Sequence, residues 1–225
     1  MIDFYTNLSP NLKASLIITG FLILMFIIIG RKIDKLKPTD TPGKFLFMII
    51  MMIEMLNNQI KDFYGKQWKT FAPLLIAILF YLAFANTSSL VGLANPLANV
   101  GIALSFSVFA FLTIQISGLV VRKPWNRLKD LSAPTPLLLP LNLISEISTP
   151  LAMGLRLFGN LLSGSVMAVV VFNLLNALFS GLATTLVLHP IFNIGFGLIQ
   201  AFVFYMLLTI FLSMAIEEPE IEEAS

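Results

Sequence analysis

The stretch Leu151-Ala152-Met153-Gly154-Leu155-Arg156-Leu157-Phe158-Gly159-Asn160-Leu161-Leu162 decides how this chain is read. It sits inside an apolar run from Leu137 to Leu178, which as one helix would be about 60 Å long, twice the hydrocarbon core of a bilayer. Arg156 is the sole lysine or arginine between Leu131 and Ile216. A cation at the centre of a membrane helix costs about 2.5–3.5 kcal/mol on insertion scales, and arginine cannot escape by losing its proton. Snorkelling rescues cations near helix ends, and Arg156 lies near the middle of its segment. A residue held there at such a cost points to function.

The rest of the chain agrees with a membrane setting. Of its 225 residues 57% are hydrophobic and 12% charged, about half the charge of a soluble domain. A net charge of +2 with no basic face gives no footing for nucleic acid. Cysteine is absent, which excludes a disulfide framework, a thiolate metal site and a thiol nucleophile. The start, Met1-Ile2-Asp3, lacks the basic n-region of a signal peptide, so the first apolar run is expected to stay as an anchor.

Five spans are expected. Residues 12–30 form the first, with Ala14 to Gly30 free of charge. Residues 44–66 read as an amphipathic helix in the interface, because Glu54, Asn58 and Lys61 share one face. No charged residue occurs from Thr70 to Val121, which holds a hairpin of spans at 70–91 and 96–121. Asn86-Thr87-Ser88-Ser89 and Asn95-Pro96 supply its turn. Residues 137–178 and 185–216 form a long tilted hairpin, the first of them either one helix or broken at Pro140 or Pro150. Residues 217–225 are an acidic tail. Basic loops at 31–37 and 122–129 fall on one side, which puts the N-terminus outside and the C-terminus inside. The expected fold is an all-α membrane protein of about five transmembrane helices plus one interfacial helix.

In the last two segments the polar candidates are Glu146, Arg156 and His189, with the amides Asn160, Asn173, Asn176, Asn193 and Gln200. Arg156 and Asn160 are one turn apart on one face. Gly154, Gly159, Ser163, Gly164 and Ser165 surround them with small side chains, which let another helix approach closely in lipid. At 100° per residue, His189, Asn193 and Gln200 fall within about 40° of one another, a polar stripe suited to a water-lined ion path. Each amide could instead bond a neighbour, His189 could sit in a loop beside Pro190, and Glu146 could lie at the surface. A pair between Glu146 and Arg156 would have to reach about 15 Å along one helix.

The run from Pro140 through Glu146 and Pro150 to Leu155-Arg156-Leu157-Phe158-Gly159-Asn160 closely resembles the signature of subunit a of rotary F-type ATP synthases. Phe71-Ala72-Pro73-Leu74 and the last helix, with Ile199-Gln200-Ala201-Phe202-Val203-Phe204, are similar to that family too. The resemblance implies an ion-translocating stator subunit with no catalytic site and no cofactor or metal of its own. Its partners would be a c-ring of rotor subunits with buried carboxylates, peripheral-stalk b subunits and lipid, and its cargo H⁺ or Na⁺. It implies that Arg156 meets each rotor carboxylate, that Gly154, Gly159, Ser163 and Gly164 face the rotor, and that Glu146, Asn160, Ser165, His189, Asn193 and Gln200 line the ion path. The wording of the hexapeptide resembles bacterial members, hence a plasma membrane. Many relatives carry an acidic residue or histidine at the positions of Ser165 and Asn193; this chain is neutral at both, and His189, or hydroxyl, amide and water, would have to serve. The competing function is a stand-alone ion channel or secondary transporter, but no inverted repeat is visible. A membrane-embedded enzyme lacks a metal cluster, a carboxylate pair or a nucleophile with its base, and a voltage sensor would need several arginines.

Overall fold

A computed structural model describes residues 9–35, 43–121, 139–174 and 190–216, and they are helical almost throughout. The protein is an all-α membrane protein. Five segments are long and apolar enough to cross a bilayer: Pro10–Asp34, Lys44–Val91, Val100–Val121, Pro140–Val171 and Ile194–Ile216. The loop at 36–42, the second basic loop, residues 175–189 and the acidic tail lie outside the described residues.

Helix α1 (Pro10–Asp34) starts where Ser9 caps it, accepting from the Leu12 N–H, and where Pro10 supplies a preset φ at the first turn. Arg31 and Lys32 occupy its last turn, complementing the negative end of the dipole. Its buried residues Ala14, Ile18 and Leu22 repeat every four positions. Helix α2 (Lys44–Tyr64) repeats the device with Leu56, Ile60 and Tyr64, while Glu54, Asn58 and Lys61 are exposed on another face. Lys61 donates to the Asn58 side-chain carbonyl at 3.3 Å and lies 4.6 Å from the centre of the Trp68 ring. Gly65, with φ +50°, turns the chain into helix α3 (Trp68–Thr87).

Helix α3 passes through Pro73 without ending. It runs on past the expected turn residue Asn86, so the turn itself is built from Ser88–Val91, Gly92 at φ +78° and Pro96–Ala98. Asn95 caps the last of these, its side chain accepting from Leu97 N–H at 2.9 Å. Helix α4 (Val100–Val121) buries Ala103, Ser107, Ala110, Ile114 and Gly118, a mostly small-residue stripe that lets α5 come close. Helix α5 (Leu139–Leu174) settles the choice left open at the prolines: it is one helix running through Pro150. Its 36 residues span about 54 Å, well beyond a hydrocarbon core of about 30 Å.

The last segment is not uniform. Pro190–Phe196 is a π-helix and α6 (Gly197–Ile216) follows directly. Helix α6 is the axis of the fold. Gln200, Ala201, Phe204, Tyr205, Leu208, Thr209, Leu212 and Ser213 are all buried, packed mainly by α3 and α4 with α2 at one end. Tyr64 of α2 donates its hydroxyl to the Thr209 carbonyl at 2.8 Å, and Gln59 donates to the Met206 sulfur at 3.1 Å. On the other flank α1 meets α3, with Ser15 and Tyr81 hydroxyls 2.6 Å apart and Phe26 edge-on to Phe80. Helices α5 and α6 do not lie along one another as a simple hairpin would. Helix α4 packs on both, and α5 touches α6 only locally.

Candidate functional site

The register of α5 fixes the site. Pro150, Met153, Gly154 and Leu157 are buried against the bundle. Arg156 points elsewhere and is exposed. One or more turns above and below it on the same side stand Ser145, Ser148, Ala152, Gly159 and Ser163, all exposed or half-buried. A Cβ placed on Gly159 would find no atom within 4 Å. Among the described residues no carboxylate pairs with Arg156. The arginine is therefore a fixed cation presented sideways from the bundle, on a strip of small side chains.

Asn160 sits at the edge of this strip and connects it to the core. Its Nδ2 donates to Gln200 Oε1 at 2.9 Å. Gln200 is 6% exposed, so its carbonyl has little water to turn to, and the bond sets the orientation of both amides. This is the local meeting point of α5 and α6. Asn160, one turn from Arg156 on α5, thereby ties Gln200 of α6 to the arginine's own helix.

Other expectations fare differently. Gly154 does not face the open side: a Cβ there would come within 2.6 Å of the Ser107 Cβ and 3.2 Å of the Ala103 carbonyl oxygen. Two residues from Arg156 is about 200° of rotation, and Gly154 serves the α4–α5 contact instead. The neighbouring Ser107 hydroxyl donates to the Pro150 carbonyl across the same contact. Ser163 is on the open strip and Gly164 is half-buried at its margin. Ser165 is exposed on another side and donates to the Leu162 carbonyl of its own helix at 2.8 Å. Asn173 is spent in the same way, on Val169 at 2.9 Å. Glu146 is half-buried more than two turns from Arg156. His189, Asn176 and the side chain of Asn193 lie outside the described residues. The π-helix at Pro190–Phe196 also breaks the even 100° step on which the stripe through His189, Asn193 and Gln200 was drawn.

Asn86, expected in the turn, instead ends inside the bundle: it is 3% exposed and donates Nδ2 to the Gly197 carbonyl at 2.9 Å. Its position in a charge-free apolar segment, rather than after a glycine or before a proline, was the available signal.

Taken together, these features define a polytopic helical membrane protein that presents an exposed arginine, with no carboxylate partner among the described residues, on one face of a long helix. Residues 13–213 match the family described as ATP synthase A chain, and the protein belongs to that family. It is 25% identical over 211 residues to ATP synthase subunit a 1 of Chlorobaculum tepidum, covering 92% of this chain and 93% of that protein. It is 24% identical over 205 residues to ATP synthase subunit a 1 of Crocosphaera subtropica, covering 90% and 86% respectively. The chain is a membrane component of the ion-translocating sector of an ATP synthase.

Proposed function

We propose that this chain is the stator element that couples ion flow to rotation of a ring of carboxylate-bearing rotor subunits. The observation that carries the reading is Arg156, exposed on a face of α5 that carries Ser145, Ala152, Gly159 and Ser163 around it. A neutral, ion-loaded carboxyl can face lipid, whereas an ionised one cannot do so cheaply. Beside Arg156 the ionised form is favoured, by about 4 kcal/mol for charges 4 Å apart at an effective dielectric of 20. The arriving carboxyl therefore releases its ion there. The same fixed cation repels an ion trying to cross directly from inlet to outlet. Two half-channels, each open to one side of the membrane, then make rotation the only route. Each unit charge moved through 100 mV releases about 2.3 kcal/mol.

Under this reading Gly159, Ser163 and Ala152 let the ring approach, and the Asn160–Gln200 pair lines the path next to Arg156. Glu146 is assigned to one half-channel. The amphipathic α2 lies in the interface under α6, the N-terminus faces outside and the C-terminus the cytoplasm of a bacterial cell. Peripheral-stalk b subunits complete the stator, and the ion is H⁺ or Na⁺.

The test is Arg156→Ala in the assembled synthase. Ion-gradient-driven ATP synthesis should vanish while the chain still inserts and assembles; coupled synthesis by that variant would end the proposal.

A further inference from the structure

We propose that Asn86 is a positioning residue for ion transfer, acting through Gly197 and Gln200 on the Asn160 amide; this deepens the function proposed above and rests on it. Asn86 lies in the last turn of α3, whose other buried residues, Phe71, Ala72, Leu75, Ile76, Ile78, Leu82 and Ala85, are all apolar. Its neighbours do not reach across to another helix: the Thr87 hydroxyl donates to the Ala83 and Phe84 carbonyls of α3, and the Ser88 hydroxyl, just past its end, to the Ala85 carbonyl. Asn86 alone of these three crosses to another helix, its Nδ2 2.9 Å from the Gly197 carbonyl oxygen. A buried amide in such surroundings is costly unless bonded, and an apolar side chain of the same size would pack as well.

The place it grips explains its value. Gly197 is where the π-helix Pro190–Phe196 gives way to α6. A π-turn departs from the ordinary ladder, so the rotation and height at which α6 begins differ from those an even α-helix through Pro190 would give. A directional bond from a different helix supplies that reference. Gln200 follows Gly197 by three residues, just under one turn, and its Oε1 must meet Asn160 Nδ2 at 2.9 Å. Asn160 in turn stands one turn from Arg156. A rotation of α6 at Gly197 would carry Gln200 away from Asn160, leaving that amide free to turn toward the arginine or away from it. Interhelical hydrogen bonds add little stability in lipid, so the contribution of Asn86 lies in direction.

A double-mutant cycle tests this in the intact ATP synthase, in membrane vesicles energised by an imposed ion gradient. Asn86→Leu and Asn160→Ala are each expected to lower ATP synthesis about five- to tenfold. The double variant is expected to be no slower than Asn160→Ala alone, because Asn86 then has nothing left to position. A general structural role would instead multiply the two losses, and that result, or unchanged synthesis by Asn86→Leu alone, overturns the proposal. Asn86→Ser, which shortens the side chain out of reach, takes the place of Asn86→Leu should the larger residue lower the amount of assembled complex. Arg156→Ala is measured alongside: synthesis retained there overturns the function itself, whereas multiplied losses at Asn86 and Asn160 overturn only the positioning role.

Discussion

Helices α5 and α6 are both apolar, both long and both carry a few polar residues, yet they solve opposite problems. Helix α6 is enclosed, and bonds hold several of its polar groups: Thr209 bonds the Tyr205 carbonyl at 2.8 Å, its own carbonyl accepts from Tyr64, and Gln200 accepts from Asn160. Helix α5 is enclosed on one side only, through Met153, Gly154 and Leu157, and leaves Arg156 exposed on the other. Satisfied polar groups in a closed core fix a structure. A cation left open on a strip of small residues adds no packing of its own, and under the proposed function its cost is offset by the rotor carboxylate that arrives from outside the chain.

The sharpest way to break the contrast is at Arg156 itself. Arg156→Lys keeps a positive charge in neutral water but not the planar, permanently protonated fork, and a lysine in an apolar site gives up its proton. Coupled ATP synthesis is expected to fall more than about 100-fold, with the chain still present in the membrane. Activity within a few-fold of the parent would show that charge alone, without permanence, is enough.

The paired glycines come next. Gly159 has open space where a side chain would go, while Gly154 has the Ser107 Cβ in the way. Gly159→Leu should therefore leave the thermal stability of the isolated chain unchanged but abolish synthesis by blocking the approach of the ring. Gly154→Val should separate α4 from α5 and destabilise the chain in detergent by about 1–3 kcal/mol. Opposite outcomes at the two sites would mean that the open and closed sides of α5 have been exchanged.

Much of this was legible without coordinates. A charge-free segment from Thr70 to Val121 reads as a membrane hairpin, and Arg156 in its hexapeptide marks the candidate site and carries the family resemblance. Partners across helices were not legible. Nothing in the spacing says that Gly154 packs on Ser107, since small residues near Arg156 look alike until the helix is rotated into place. The hidden role of Asn86 has a similar cause: asparagine favours turns, and burial beside Gly197 overrides that preference. The stripe drawn through His189, Asn193 and Gln200 assumed an even helical step, which the π-helix at Pro190–Phe196 does not keep.

Within the closed region, Tyr64→Phe removes one hydroxyl from the α2–α6 seam and leaves the Thr209 carbonyl with its helical partner. The loss is expected to be about 1 kcal/mol in chain stability, read as a lower midpoint in a detergent unfolding series, with ATP synthesis per assembled complex unchanged. A change in synthesis without a change in stability would move this seam into the ion path.

The smallest effect is expected at Ser165. Its hydroxyl is engaged by the Leu162 carbonyl at 2.8 Å, and nine residues turn it to nearly the opposite side of α5 from Arg156. Removing the hydroxyl frees a carbonyl that is already part of the helical ladder, so Ser165→Ala should change stability by less than about 0.5 kcal/mol and leave gradient-driven synthesis within about twofold. A larger drop in synthesis would mean that water recruits this hydroxyl into a half-channel despite its bond within the helix. In that case α5 would serve ions on two sides rather than one, and the division between an open face for the ring and a closed face for the bundle would need a third, wetted face.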